Sequence, residues 1–235
     1  MPLPKIEQPL FEMTIPSTEK KIIYRPFLVR EEKILLMAQQ SGNAMDIIRA
    51  LKQIITNCVQ DNIDVDALAT FDLEYMFLIL RSTSVNNIVN LSYRDNEDDQ
   101  VYKFDVDLND IKIIKDPANN PNIQVSDTIG IKLRYPNVNL TESIDQYETE
   151  ADILSYFITN CIESIYDANS VYLASDYTKE ELDEFFDGLD IKTFEKVKLF
   201  FDTMPKMRYT IKYQNSLGHD REIELSTLQD FFTLG

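Results

Sequence analysis

The chain has 235 residues, a formal net charge of −17, five glycines, two cysteines, one histidine and no tryptophan. Its 44% hydrophobic and 11% aromatic content belongs to a folded protein with one large core or two smaller ones. Residues 1–60 hold eight Lys/Arg against six Asp/Glu and the remainder fifteen against thirty-four, so most of the chain offers no basic footprint for nucleic acid or anionic membrane.

Residues 1–9 contain three prolines and read as an extended arm unlike a signal peptide. Phe11–Ile15 and Lys21–Phe27 are rich in β-formers around a Pro16–Lys20 turn, which predicts a hairpin. A helix is predicted from Arg30 to Gln40, with Glu31 and Glu32 in the first turn, where the dipole favours acids, and Gly42 just past its end. Asn43 caps the next helix, whose apolar residues Met45, Ile48, Leu51, Ile55 and Val59 recur every three or four positions. Asp66–Thr83 is apolar around much of its girth (Leu68, Phe71, Tyr75, Leu78), so a central helix is expected there.

The period then changes to two. Ile88, Val89, Leu91 and Tyr93, followed by Val101, Phe104, Val106 and Leu108, alternate as strands around the polar turn 95–99. Asp116–Pro121 is a proline- and asparagine-rich linker, Ile129–Leu133 a strand stopped by Pro136, and 137–148 an irregular stretch. A helical pattern runs from Thr149 to about Asp167. Thr178 with Glu181 three positions later forms a capping box for a short helix ended by Gly188. Ile191–Asp202 is the last substantial helix. Tyr209–Tyr213 and Ile223–Leu225 form a closing hairpin, followed by an apolar tail through Phe232.

Two segments are near-copies: Ile55-Thr56-Asn57-Cys58-Val59 and Ile158-Thr159-Asn160-Cys161-Ile162. Upstream lie Tyr24-Arg25-Pro26 and Leu133-Arg134-Tyr135-Pro136, and downstream of each come a helix and a hairpin. This is a degenerate internal duplication. The second copy is longer because 168–190 has no counterpart in the first. The expected fold is α+β, helices packed with short antiparallel hairpins, in pseudo-repeated lobes at 1–115 and 122–235 joined by a 116–121 linker. Both cysteines lie in apolar helical patterns and behave as small core residues, which implies a reducing compartment.

No catalytic constellation emerges. Asp105 and Asp107 alternate with apolar residues on a strand and most simply face water, and Asp64-Val65-Asp66 precedes a helix it can cap. The 95–99 turn lacks both the central glycine and the twelfth-position glutamate of a calcium loop. His219 sits in a hairpin turn, and two cysteines with one histidine match no zinc spacing. No glycine-rich phosphate loop or nucleophile elbow occurs. The reading is therefore no catalytic, metal or cofactor residue. The acids Asp95, Glu97, Asp98 and Asp99 and the apolar Phe231, Phe232 and Leu234 are candidate partner-binding residues.

Three stretches resemble the baseplate hub subunit and hub assembly protein family of contractile-tailed, myovirus-type bacteriophages. They are Leu3–Ile6 with Phe11–Thr18 and Tyr24–Lys33, the middle Thr128–Pro136, and the closing Leu225–Phe232. The resemblance implies a non-enzymatic protein that helps to build the central hub of the tail baseplate, either as a component carried in the virion or as an assembly factor acting in the host cytoplasm. Its partners would be other hub or tail proteins, with no nucleic acid, membrane or cofactor. The rival readings are an acidic host-directed regulator and a carboxylate-dependent hydrolase.

Overall fold

A computed structural model of the chain describes residues 6–143, 146, 147, 149–228 and 230. Among these are seven α-helices and eleven strands in small antiparallel sheets, an α+β fold as expected. The chain forms two compact units: residues 1–114 together with 206–235, and residues 115–205.

The first unit opens with the hairpin β1 (Phe11–Thr14) and β2 (Lys21–Tyr24). The alternation that predicted it puts Met13, Ile22 and Tyr24 inward. Helix α1 (Val29–Ser41) ends on Gly42, whose left-handed φ of 68° suits a residue without Cβ. Helix α2 (Ala44–Cys58) starts where Asn43 accepts a hydrogen bond from the Met45 N–H, and it buries Leu51, Ile54, Ile55 and Cys58 on one face. Helix α3 (Thr70–Ser84) begins four residues later than predicted. It buries Phe71, Leu73, Met76, Phe77, Leu78 and Leu80, at about 1.5–3 kcal/mol for each large side chain removed from water. Inside its first turn, buried Asp72 accepts from the Ser17 N–H at 2.8 Å and the Ser17 hydroxyl at 2.5 Å, which ties the β1–β2 turn to this helix.

Strands β3 (Ile88–Arg94) and β4 (Val101–Asp107) form the predicted second hairpin. A short strand, β5 (Lys112–Ile114), carries no alternation long enough to read from sequence. The closing hairpin consists of β10 (Lys206–Gln214) and β11 (Asp220–Leu225), and β10 pairs with β5 through Lys206–Ile114, Met207–Ile113 and Arg208–Lys112. The compact units thus differ from the expected lobes at 1–115 and 122–235. Residues 206–225 belong with the first unit because their edge supplies the partner that β5 needs.

The second unit carries the sheet β6 (Asn122–Gln124), β7 (Gly130–Leu133), β8 (Ile162–Tyr166) and β9 (Val171–Leu173), in that order. Its core joins Ile123, Ile131, Leu133, Ile158, Ile162, Val197 and Phe200. Helix α4 (Val138–Glu142), capped by Asn137, occupies part of the stretch predicted to be irregular. Helix α5 (Glu150–Cys161) begins where its pattern was predicted to begin, with Thr149 accepting from the Asp152 N–H as its cap, but it stops at Cys161 instead of near Asp167. The next five residues have a β-branched start and a partner strand in β7, so pairing overrides helical periodicity there. Helix α6 (Lys179–Asp187) carries the predicted capping box, and α7 (Ile191–Asp202) matches its predicted span.

Candidate interaction surfaces

The duplication read from sequence reappears as the same set of bonds in each copy. In the first, the Arg25 N–H donates to the Cys58 carbonyl at 3.0 Å, and its guanidinium donates to the Asn57 carbonyl at 2.9 Å. In the second, the Arg134 N–H donates to the Cys161 carbonyl at 2.8 Å, and its guanidinium donates to the Asn160 carbonyl at 2.9 Å. The residue before each arginine pairs antiparallel with the residue after each cysteine: Tyr24 with Val59, and Leu133 with Ile162. The shared letters thus encode a clamp in which an arginine satisfies the orphan carbonyls at a helix C-terminus, where positive charge is favoured.

The copies differ in burial. Arg25 is 8% exposed and pairs with Glu31, whose side chain is fully buried, at 2.9 Å, whereas Arg134 is exposed. Burial pushes the Glu31 carboxyl up. Hydrogen bonds from Arg25, the Leu28 N–H and Arg30, with the Arg25 charge, outweigh it and hold the group at about 2. Burial raises the thiols, Cys58 to about 11 and Cys161 to about 12, so neither is a poised nucleophile.

The acidic turn 95–99 packs against the turn of the closing hairpin. Asp95, 0% exposed, accepts from the Tyr213 hydroxyl at 2.6 Å and lies 3.2 Å from Arg221 Nε. Glu97 accepts from Asn215 Nδ2 at 2.7 Å, lies 2.7 Å from His219 Nδ1 and pairs with Arg221 at 3.3 Å. Asp98 accepts from the Tyr102 hydroxyl at 2.6 Å and from the Ser216 N–H and hydroxyl at 2.9 and 2.7 Å.

These contacts govern the charges. The Tyr213 hydrogen bond holds the Asp95 carboxyl below its usual range, and burial with the bond to Asp95 pushes the Tyr213 phenol up to about 12. Burial opposes the lowering of Asp98, but the donors from Tyr102, Gln100 and Ser216 prevail. Three of the four candidate acids are therefore engaged inside the unit. Asp99, with its side chain 83% exposed, pairs with Arg94 on the surface. Phe231, Phe232 and Leu234 lie outside the described residues.

The residues tested for chemistry are held in local structure. Asp105 accepts from Asn90 Nδ2 at 2.5 Å across the β3–β4 ladder, and Asp107 accepts from Asn87 Nδ2 and from the backbone and side chain of Asn109. Asp64 caps a turn by accepting from the Asp66 N–H, and Asp66 pairs with Lys52. Among the described residues, no cluster of three or more His, Cys, Asp or Glu is placed to hold a metal ion, and no helix is long and apolar enough to cross a membrane.

Sequence reasoning missed the outer strand of the second unit. Val171, Tyr172 and Leu173 of β9 are 66, 36 and 50% exposed, and Tyr177 just beyond is 41% exposed. Beside them lies a cleft of about 440 Å³, lined among others by Arg134, Glu163, Leu173, Tyr177 and Lys179. The signal in the sequence was the apolar run Val171-Tyr172-Leu173 between polar turns, too short to separate from loop.

These features describe an α+β protein of two hairpin-rich units. The chain belongs to the family described as T4 bacteriophage base plate protein, which it matches over residues 8–233, and it is a phage baseplate protein of the myovirus type. No curated protein and no solved structure matches it.

Proposed function

We propose that the chain serves the central hub of the tail baseplate, as a hub subunit or as an assembly factor for it. In this reading it works by contacts with other tail proteins and without catalysis. The family match over nearly the whole chain carries the reading. Exposed apolar strand residues in an acidic surface support it, since such patches suit protein contact. Assembly takes place in the host cytoplasm, and Asp99 with the apolar closing segment Phe231–Leu234 contributes to docking.

Mass spectrometry of purified virions, together with pull-down from infected cells, tests the proposal. Tail proteins in the eluate are the expected result. Presence in the particle marks a subunit, and absence with tail-protein capture marks an assembly factor. Recovery of host polymerase or nuclease alone overturns the hub reading in favour of a host-directed regulator. The hydrolase reading is tested by Asp105→Ala with Asp107→Ala, where loss of function with folding and partner binding intact would favour an enzyme.

A further inference from the structure

We infer that β9 is a docking edge that takes up one extended, basic segment of a partner protein as a fifth strand of the second unit's sheet. The inference rests on the reading that this chain acts through protein contacts.

The geometry begins at the β8–β9 turn. The Asp167 N–H donates to the Ser170 carbonyl at 2.9 Å, which makes that pair the hydrogen-bonded one closing the hairpin. Antiparallel ladders alternate, and the register runs Tyr166–Val171, Ile165–Tyr172 and Ser164–Leu173. Tyr172 therefore turns its backbone groups toward β8. The N–H and C=O of Val171 and the N–H of Leu173 point away from it. Among the described residues no strand pairs with this outer edge.

An exposed edge is normally blunted by charge, proline or a bulge. Here the edge carries Val171, Tyr172 and Leu173, with the Tyr177 ring edge-on to Tyr172 at a centroid distance of 6.4 Å. The Tyr172 hydroxyl donates to Asp167 at 2.9 Å, which fixes its ring along the strand. An apolar edge with outward donors and acceptor is the template for strand addition.

Charge selects the occupant. From Ile162 to Asp187, which includes β9 and α6, the chain carries eight acids (Glu163, Asp167, Asp176, Glu180, Glu181, Asp183, Glu184, Asp187) against one base, Lys179. A second copy would bring another net charge of −17 to that edge and be repelled. A strand alternating lysine or arginine with apolar residues satisfies both the acids and the apolar edge.

The test uses the full-length protein and a fluorescein-labelled ten-residue peptide alternating lysine and valine, read by anisotropy, with the glutamate–valine peptide as the charge control. The lysine peptide is expected to bind and the glutamate peptide to bind at least about tenfold more weakly. Leu173→Pro removes one outward N–H at a residue whose φ of −73° already suits proline, so folding persists while binding falls roughly tenfold. Leu173→Ala keeps the N–H and retains most of the binding. Val171→Lys, at an exposed position, guards against a misfolded proline variant and is also expected to weaken the lysine peptide. Equal binding by wild type, Leu173→Pro and Val171→Lys overturns the inference, as does equal binding of both peptides. Either failure removes the docking edge and leaves the hub reading to the virion experiment, which does not depend on this strand.

Discussion

Removing the arginine from each copy of the clamp should have very different effects, although the two sites share their backbone bonds. Arg25→Ala strips the charge partner from Glu31, whose side chain is fully buried. Breaking a buried pair by removing one partner costs about 3–5 kcal/mol, because the remaining charge stays desolvated. The depression of Glu31 from 4.5 to about 2 gives a similar scale, about 3 kcal/mol at 1.36 kcal/mol per pKa unit. Arg30 Nε at 2.6 Å and the Leu28 N–H at 2.8 Å still face Glu31 and retain part of this, so about 3 kcal/mol is the expected loss. Arg134→Ala deletes hydrogen bonds from an exposed guanidinium to the Asn160 carbonyl and should cost about 1 kcal/mol or less. With no tryptophan in the chain, urea unfolding is followed by far-ultraviolet circular dichroism. The first variant should lose on the order of 1 M in midpoint and the second a few tenths. Equal shifts, or a larger one for Arg134→Ala, would refute the argument from burial.

Other outcomes follow from the same contacts. The stability that Glu31 supplies is fully present above its unfolded value of 4.5 and is lost as the pH falls toward about 2; Glu31→Gln should flatten acid unfolding over that window, and an unchanged acid limb contradicts the assignment. Glu74 behaves oppositely. Burial and the nearby Asp230 raise it to about 7, so its contribution is greatest below pH 4.5 and disappears as the pH rises through 7. Glu74→Gln should therefore stabilise the protein at pH 8, by about 3 kcal/mol, with little gain at pH 4.5 in thermal unfolding. Cys58 and Cys161 should resist thiol reagents at pH 8 until denaturant is added, and fast labelling of either contradicts their burial. Tyr213→Phe removes one donor from buried Asp95 and should cost about 1–2 kcal/mol; no loss would mean that Arg221 and the Glu97 N–H suffice.

Most helices were legible because their signals are local. Asn43, Thr149, Thr178 and Asp190 each cap a helix by accepting from a backbone N–H, and Gly42 ends one, all within a few residues of the periodic stretch. The duplication was legible for a related reason: Arg25 with Asn57 and Arg134 with Asn160 must be kept together for the clamp to form. What stayed hidden depends on distant partners. Three-residue strands such as β5 and β9 have no pattern of their own, and Ile162–Tyr166 became strand only because β7 was there to pair with it. The acidic turn was visible, but its engagement was not. Tyr213 meets Asp95, and Ser216 meets Asp98, across 118 positions of sequence, so the turn looked like free surface.

Because strands 206–225 complete a unit otherwise built from residues 1–114, a nascent chain emerging from the ribosome must finish 115–205 before β10 can reach β5. Until then Met207, fully buried in the finished fold, is still unmade, and Lys112–Ile114 offers an open ladder to whatever is nearby. Translation products that stop before residue 206 would display that vacant ladder, which would make them distinguishable from chains that carry β10 by any factor that recognises bare strand edges.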